Sequence, residues 1–186
     1  EAITAANGTA ASGDAPAGDP GLDTIAFDIP GNGVHTIHVA TPLPEIIDPV
    51  IIDGYTQPGS SRNTGTFGDD RVLNIELVGG GAPAHGLDLR ANGSTVSGLS
   101  IGGFEVGIDM LGELNQVTGN FIGLDASGKA RPNAIGVIID GSVANTIGGA
   151  TLADRNIISA NLADGIDMIG DLARVNVINR NSIGTT

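Results

Sequence analysis

The chain has 186 residues, 30 of them glycine, with only 3% aromatic residues and neither Trp nor Cys. Its core must be filled by small and aliphatic side chains in an architecture that tolerates many glycines, which argues against a helical bundle. The formal charge of -13 repels phosphate backbones and therefore argues against nucleic acid as a partner. The absence of Cys excludes disulfide and thiol chemistry. The sequence contains no run of 18 apolar residues, so it predicts no membrane-spanning helix.

The N-terminal part of the chain predicts a short helix followed by strands. Residues 1–7 have an amphipathic pattern that ends at Asn7-Gly8, and a polar loop follows. Short alternating or continuous apolar runs, each ended by Gly or Pro, predict strands at residues 24–29, 36–39 and 49–52. After a second polar loop, residues 72–77 alternate, which predicts one buried face and one exposed face.

From residue 86 onward the sequence repeats itself. Four similar segments begin at Gly86, Gly107, Gly136 and Gly165, with spacings of 21, 29 and 29 residues. Self-similarity at this period indicates stacked supersecondary units. Short strands separated by Gly, Asn and Asp turns favour the coils of a parallel β-helix over leucine-rich or helical repeats. The four glycines are therefore expected directly above one another, about 4.8 Å apart.

The repeat also predicts the core. Alternating aliphatic positions should point inward and stack in four layers, while an insertion at residues 150–155 should bulge from a turn without disturbing the stack. The predicted inward pairs are Leu87/Leu89, Ile108/Met110, Val137/Ile139 and Ile166/Met168.

Together these patterns predict an all-β chain with a single domain, residues 1–186. Its fold is expected to be a parallel β-helix of about six to seven coils, about 30 Å long. A short helix and loop, which the resemblance described next identifies as a cap, would occupy residues 1–22, irregular N-terminal coils residues 23–85, and regular repeat coils residues 86–186. The last coil is expected to be uncapped.

Several segments resemble a known family. These are the opening Glu-Ala-Ile-Thr-Ala-Ala-Asn, the stretches 23–30 and 52–59, and the units that end in Asn-x-Ile-Gly. They are similar to secreted bacterial right-handed parallel β-helix repeat proteins of the CSLREA type. The resemblance implies that the N-terminal helix caps the first coil and that the protein is secreted or lies on the cell surface. It implies no particular activity. The family's leading Cys-Ser-Leu-Arg is missing, and the start at Glu1 predicts a processed or truncated product.

A column of carboxylates is expected on the outer face of one sheet. Alternation places Asp88, Asp109 and Asp167 in this column, with Ile138 on the remaining rung. Asp88 and Asp109 would be direct neighbours and would repel each other unless a cation or Arg90 lies between them. This predicts either a Ca²⁺- or sugar-binding face, or a solvated polar face that discourages aggregation. No cofactor is required, but Ca²⁺ is a candidate at Asp88 and Asp109.

A second column has a structural interpretation. Asn120, Asn156 and Asn181 align at a bend, where stacked amides can donate and accept along the axis and satisfy the turn backbone.

Catalytic signals are weak. Asp88, Arg90 and Asp109 form the only cluster that could serve a polysaccharide lyase or glycoside hydrolase, whereas the adjacent acids of Asp69-Asp70-Arg71 should face opposite ways along a strand.

Aromatic and imidazole side chains give no stronger signal. Tyr55 is the candidate for stacking on a sugar, with turn packing as its other role. His35 and His38 should point to opposite faces, and they and His85 are interpreted as surface or turn residues.

The end of the chain suggests the function. The sequence stops in mid-pattern near Ile183, with no capping helix to cover the unpaired strand edges of the last coil. This predicts either a piece of a longer repeat protein or head-to-tail pairing of subunits into a filament. The expected function is an extracellular structural or adhesive module. The alternative is a carbohydrate-active enzyme or polysaccharide-binding module of the pectate-lyase-like class.

Overall fold

A computed structural model describes residues 1–19, 21–66, 68–80 and 84–184. Within these ranges the chain forms one short helix, one 3-10 turn and a series of short strands. The helix is α1 (Ala2–Ala6) and the 3-10 turn spans Gly54–Thr56. The strands, in chain order, are β1 (Asp23–Ala26), β2 (His35–Val39), β3 (Val50–Asp53), β4 (Ile75–Gly79), β5 (His85–Leu89), β6 (Thr95–Ser97), β7 (Leu99–Gly102), β8 (Val106–Met110), β9 (Gln116–Thr118), β10 (Phe121–Ile122), β11 (Ile135–Asp140), β12 (Thr146–Gly148), β13 (Ile157–Ile158), β14 (Ile166–Ile169), β15 (Val177–Asn179) and β16 (Ser182–Ile183).

The strands form three parallel sheets that the chain visits in turn. The first sheet has the order β1-β3-β6-β9-β12-β15, the second β2-β4-β7-β10-β13-β16, and the third β5-β8-β11-β14. Each strand inside a sheet therefore pairs with the strand one coil earlier and the strand one coil later. This is a parallel β-helix, and the fold class predicted from the sequence is confirmed. Six strands at about 4.8 Å spacing make a stack about 24 Å long between the first and last strands.

The glycine column lies where the repeat predicts it. The paired registers of β5 with β8, β8 with β11 and β11 with β14 place Gly86, Gly107, Gly136 and Gly165 on successive rungs. A Cβ built on Gly86 would lie 2.5 Å from the carbonyl oxygen of Gly107, and a Cβ on Gly107 would lie 2.5 Å from that of Gly136. Only glycine allows the coils to approach this closely.

The core is a column of aliphatic side chains enclosed by the three sheets. The predicted inward residues of β5, β8 and β11 are all buried, and Ile108, Met110 and Ile139 are fully so. In β14, the last strand of the third sheet, Met168 is 42% exposed, because no described residue covers that side of the stack.

Helix α1 covers the N-terminal end of the stack. Ile3 and Ala6 on one face of α1 are buried in the core beside the first coil. The Asn7 side chain fixes the end of the helix, since it donates to the Glu45 carbonyl at 2.6 Å and accepts from the Ile47 N–H at 3.0 Å. Among the described residues, the first coil reaches the third sheet through one isolated bridge, between Ile46 and Leu89.

The expected alternation along β4 is wrong at Glu76. This side chain should face solvent, but it is only 5% exposed, because the insertion after β10 folds over it. Its carboxylate accepts from the Ala126 N–H at 2.8 Å and from Arg131 Nη1 at 2.7 Å. Burial acts to raise the pKa of Glu76, but these hydrogen bonds and one from Thr36 outweigh burial and lower it.

Candidate functional site

The candidate site lies on the outer face of the third sheet, where two carboxylates share a rung. Pairing of β5 with β8 places Asp88 directly beside Asp109, and Ile138 separates Asp109 from Asp167. The predicted column is therefore present. The expectation of a freely solvated face is wrong at Asp109, which is only 8% exposed.

His85 joins the two carboxylates, which the sequence interpretation missed. Its Nδ1 lies 3.5 Å from Asp109 Oδ2 and 3.7 Å from Asp88 Oδ2. His85 lies half-buried on the outer face of β5 rather than in a turn, and its interpretation as a surface or turn residue left this contact out. The cause is Gly86: both Gly86 and Leu87 face the interior, so the alternation is interrupted and His85 falls on the same side as Asp88. A glycine packed against the next coil was the signal that could have revealed this.

Arg90 compensates only part of the negative charge. Its Nη2 lies 3.1 Å from Asp88 Oδ2 and its Nε lies 3.1 Å from Glu45 Oε1, and the structure gives it no ion pair with Asp109 among the described residues. Burial acts to lower the pKa of Arg90, but the charges of Asp88 and Glu45 raise it above its usual value. The guanidinium therefore stays protonated and is unsuited to act as a base.

Asp109 is the least satisfied group in the cluster. Burial raises its pKa, the charge of His85 acts against burial, and Asp88 raises the pKa further. The Oδ1 atoms of Asp88 and Asp109 are buried and accept no hydrogen bond from any described residue. Buried polar atoms without partners are rare in folded proteins and are costly. A pocket of about 180 Å³, lined by Pro42, Leu43, Glu45 and Ala84, opens beside His85.

The asparagine column lies at the corner between the first and second sheets. The backbone N–H and the Nδ2 of Asn120 donate to Asn156 Oδ1 at 2.9 and 3.1 Å, and Asn156 Nδ2 donates to Asn181 Oδ1 at 2.9 Å. Asn120 also accepts from the Leu99 N–H and donates to the Val96 carbonyl. Each amide thus satisfies both its neighbour and the turn backbone.

Two further asparagine ladders were missed by sequence reasoning. At another corner the Asn115 N–H donates to Asn145 Oδ1 at 2.9 Å, and the Asn145 N–H donates to Asn176 Oδ1 at 2.8 Å. At the third corner Asn133 donates to Asn161 Oδ1. The separations of 30 and 31 residues in the first of these ladders are close to the 29-residue spacing of the later repeats, so the signal was present.

Tyr55, the candidate sugar-stacking residue, is used inside the protein. Its hydroxyl donates to the Gly119 carbonyl at 2.6 Å, and the Arg62 guanidinium lies over its ring at 4.3 Å from the centroid. The ring thus packs against the turn and the second sheet, with one face already covered.

The acidic pair before β4 is divided between two internal contacts. Asp69 accepts from Arg71 Nε at 2.7 Å, whereas Asp70 accepts from the Thr64 N–H and hydroxyl. In β2, His35 is half-buried and His38 is exposed on the other face. The structure brings none of these residues into the cluster on the third sheet.

Comparisons with known proteins do not identify a family for this chain. No protein-family model matches the chain, and neither the curated proteins nor the solved structures include a significant match. The described part of the chain contains no helix that is long and apolar enough to cross a membrane.

Proposed function

We propose that the chain is an extracellular structural or adhesive module that associates end to end with a further coil, supplied by a longer parent chain or by a second copy. The extracellular location is inferred from the resemblance to secreted β-helix repeat proteins. The stiffness that such a module needs is supported by the continuous aliphatic core and by an asparagine ladder at each of the three corners.

The state of the last coil is the observation that carries the proposal. Ile178 and Ile183 continue the columns of Ile147 and Ile158. The two earlier residues are fully buried, whereas Ile178 is 42% and Ile183 is 46% exposed. The strands β14, β15 and β16 are also terminal in their sheets. Exposed apolar side chains beside unpaired strand edges form a template for another coil, which either further residues of a longer chain or a second copy could supply.

Helix α1 at the N-terminal end limits the ways in which two copies can stack. Helix α1 lies against the first coil, and Ile3 is only 9% exposed. A second copy that stacks head to tail must accommodate this helix, whereas two last coils that face each other need not. We therefore expect a closed tail-to-tail dimer ahead of an open filament.

The experiment is sedimentation velocity over a range of concentrations, followed by negative-stain electron microscopy. We expect dimers from tail-to-tail contact, or rods of increasing length if α1 permits head-to-tail contact. Ile178→Lys should abolish either assembly by placing a charge in the contact. Leu114→Lys is the control, because Leu114 is 60% exposed on the side of a middle coil. A chain that stays monomeric at its highest soluble concentration would contradict association with a second copy.

A carbohydrate-active enzyme or polysaccharide-binding module is the second candidate. It is favoured by the paired carboxylates of Asp88 and Asp109 beside the pocket at His85. The raised pKa of Arg90, set by its acidic neighbours against the effect of burial, disfavours a lyase in which this residue abstracts a proton. Depolymerisation of an acidic polysaccharide, lost in Asp109→Ala, would establish this function.

A further inference from the structure

We propose that His85, Asp88 and Asp109 bind a divalent transition-metal ion of the Zn²⁺ type on the outer face of the third sheet. One potential ligand atom from each residue lies within 4.8 Å of the others. A tetrahedral ion with bonds of about 2.0–2.1 Å holds neighbouring ligand atoms about 3.3–3.4 Å apart. The separations of His85 Nδ1 from the two Oδ2 atoms, 3.5 and 3.7 Å, are already close to that geometry.

The carboxylates lack the partners that a purely structural role would give them. Asp109 is 8% exposed, and its buried Oδ1 accepts no hydrogen bond from the described residues; the same holds for Asp88 Oδ1. Two like charges opposite each other on one rung destabilise a sheet unless a positive charge is shared between them. The ion pairs of Arg90 lead to Asp88 and Glu45. A cation between the three side chains would supply the missing charge.

The donor set selects the class of metal. Ca²⁺ takes six to eight oxygen ligands, which one imidazole and two carboxylates do not provide. A nitrogen with two carboxylate oxygens suits Zn²⁺ and its neighbours, and three protein ligands leave a fourth position for water. The proposal therefore differs from the expectation of Ca²⁺ at Asp88 and Asp109, which the comparison of the two ions tests.

Arg90 and Glu45 would support this site from outside. Arg90 donates to Asp88 at 3.1 Å and is itself held by Glu45, so it fixes the orientation of one metal-binding carboxylate. Such supporting hydrogen bonds typically change metal affinity by about 10- to 100-fold. Arg90→Ala should therefore weaken binding without abolishing it.

The experiment is calorimetric titration of the untagged full chain with Zn²⁺, and with Ca²⁺ and Mg²⁺ for comparison. We expect one Zn²⁺ per chain and no saturable binding of Ca²⁺ or Mg²⁺. His85→Gln and Asp109→Asn should each lower the affinity for Zn²⁺ at least about tenfold. The absorption spectrum of bound Co²⁺ provides an independent measure of the coordination number, and it should indicate four ligands in the wild-type chain.

The matched control is Asp167→Asn. Asp167 lies in the same column but is separated from Asp109 by Ile138, so its removal should leave Zn²⁺ binding unchanged. Circular dichroism of each variant checks that the β-helix has formed. Absence of Zn²⁺ binding in the folded wild-type chain would overturn the proposal, and His85 would then only bridge the two carboxylates. Zn²⁺ binding that survives His85→Gln and Asp109→Asn would also overturn it, because it would reflect the acidic surface in general.

Discussion

Two columns of polar side chains run along the same stack, but their hydrogen-bonding groups are satisfied to very different degrees. In the asparagine ladder of Asn120, Asn156 and Asn181, every amide both donates and accepts, and the bonds also satisfy the turn backbone. In the carboxylate column, Asp88 and Asp109 share a rung, but two of their oxygens have no hydrogen-bond partner among the described residues. An amide column stabilises itself, whereas a carboxylate column needs an outside donor or cation.

The comparison distinguishes structural from functional repetition. Repetition of a residue at the coil period shows only that its position is equivalent in each coil. Whether the column stabilises the fold depends on whether its side chains can satisfy one another. By that criterion the outer face of the third sheet, with His85 at its centre, differs from the ladder of Asn120, Asn156 and Asn181.

The largest expected effect comes from breaking the asparagine ladder at Asn120. Asn120→Ala leaves the buried Leu99 N–H and Val96 carbonyl without their side-chain partner. Each unsatisfied buried group costs about 1–3 kcal/mol, so the free energy of unfolding should fall by roughly 2–6 kcal/mol in denaturant titration.

The control for this prediction is another asparagine that accepts from a neighbouring coil. Asn92 accepts from the Glu113 N–H at 2.7 Å but is exposed, so water can replace it. Asn92→Ala should cost about 1 kcal/mol or less. Equal losses at Asn92 and Asn120 would contradict the assignment of stability to the buried ladder.

A smaller effect of opposite sign is expected in the carboxylate column. In metal-free protein at neutral pH, Asp109→Asn removes the like charge opposite Asp88 and should raise the free energy of unfolding by up to about 1 kcal/mol. Asp167→Asn should change it by less than about 0.5 kcal/mol, because Ile138 is its neighbour in the column and isolated surface changes are small. A loss of stability in Asp109→Asn would show that this carboxylate is already compensated within the protein.

Much of the architecture was predictable because the repeat is visible in the residues themselves. The spacing of Gly86, Gly107, Gly136 and Gly165 indicated the coil period, and the aliphatic positions beside them indicated the core. The same reasoning placed Asp88 beside Asp109, since parallel strands in register bring equivalent residues onto one rung.

The rest depended on features that strict alternation does not contain. His85 reaches the carboxylates because Gly86 and Leu87 both face inward, which shifts the residue before them to the outer face. Glu76 is buried because a distant insertion folds over it, through contacts with Ala126 and Arg131. Both departures arise from packing between coils, and no pattern within a single strand predicts them.

The smallest expected effect concerns a carboxylate that does have donors, Asp70. Hydrogen bonds from the Thr64 hydroxyl, the Thr64 N–H and the Gly65 N–H lower the pKa of Asp70 from 3.8 to about 2. A lowered pKa means that the ionised form stabilises this loop. The contribution is complete above the ordinary pKa of Asp and disappears as the pH falls through about 2, as linkage requires.

An NMR titration of the Asp70 carboxyl carbon should show this low midpoint, and Thr64→Val should move it upward because the strongest donor is lost. A wild-type midpoint near 3.8 would contradict the loop geometry, and it would weaken the distinction between carboxylates that have donors and those on the third sheet that have none.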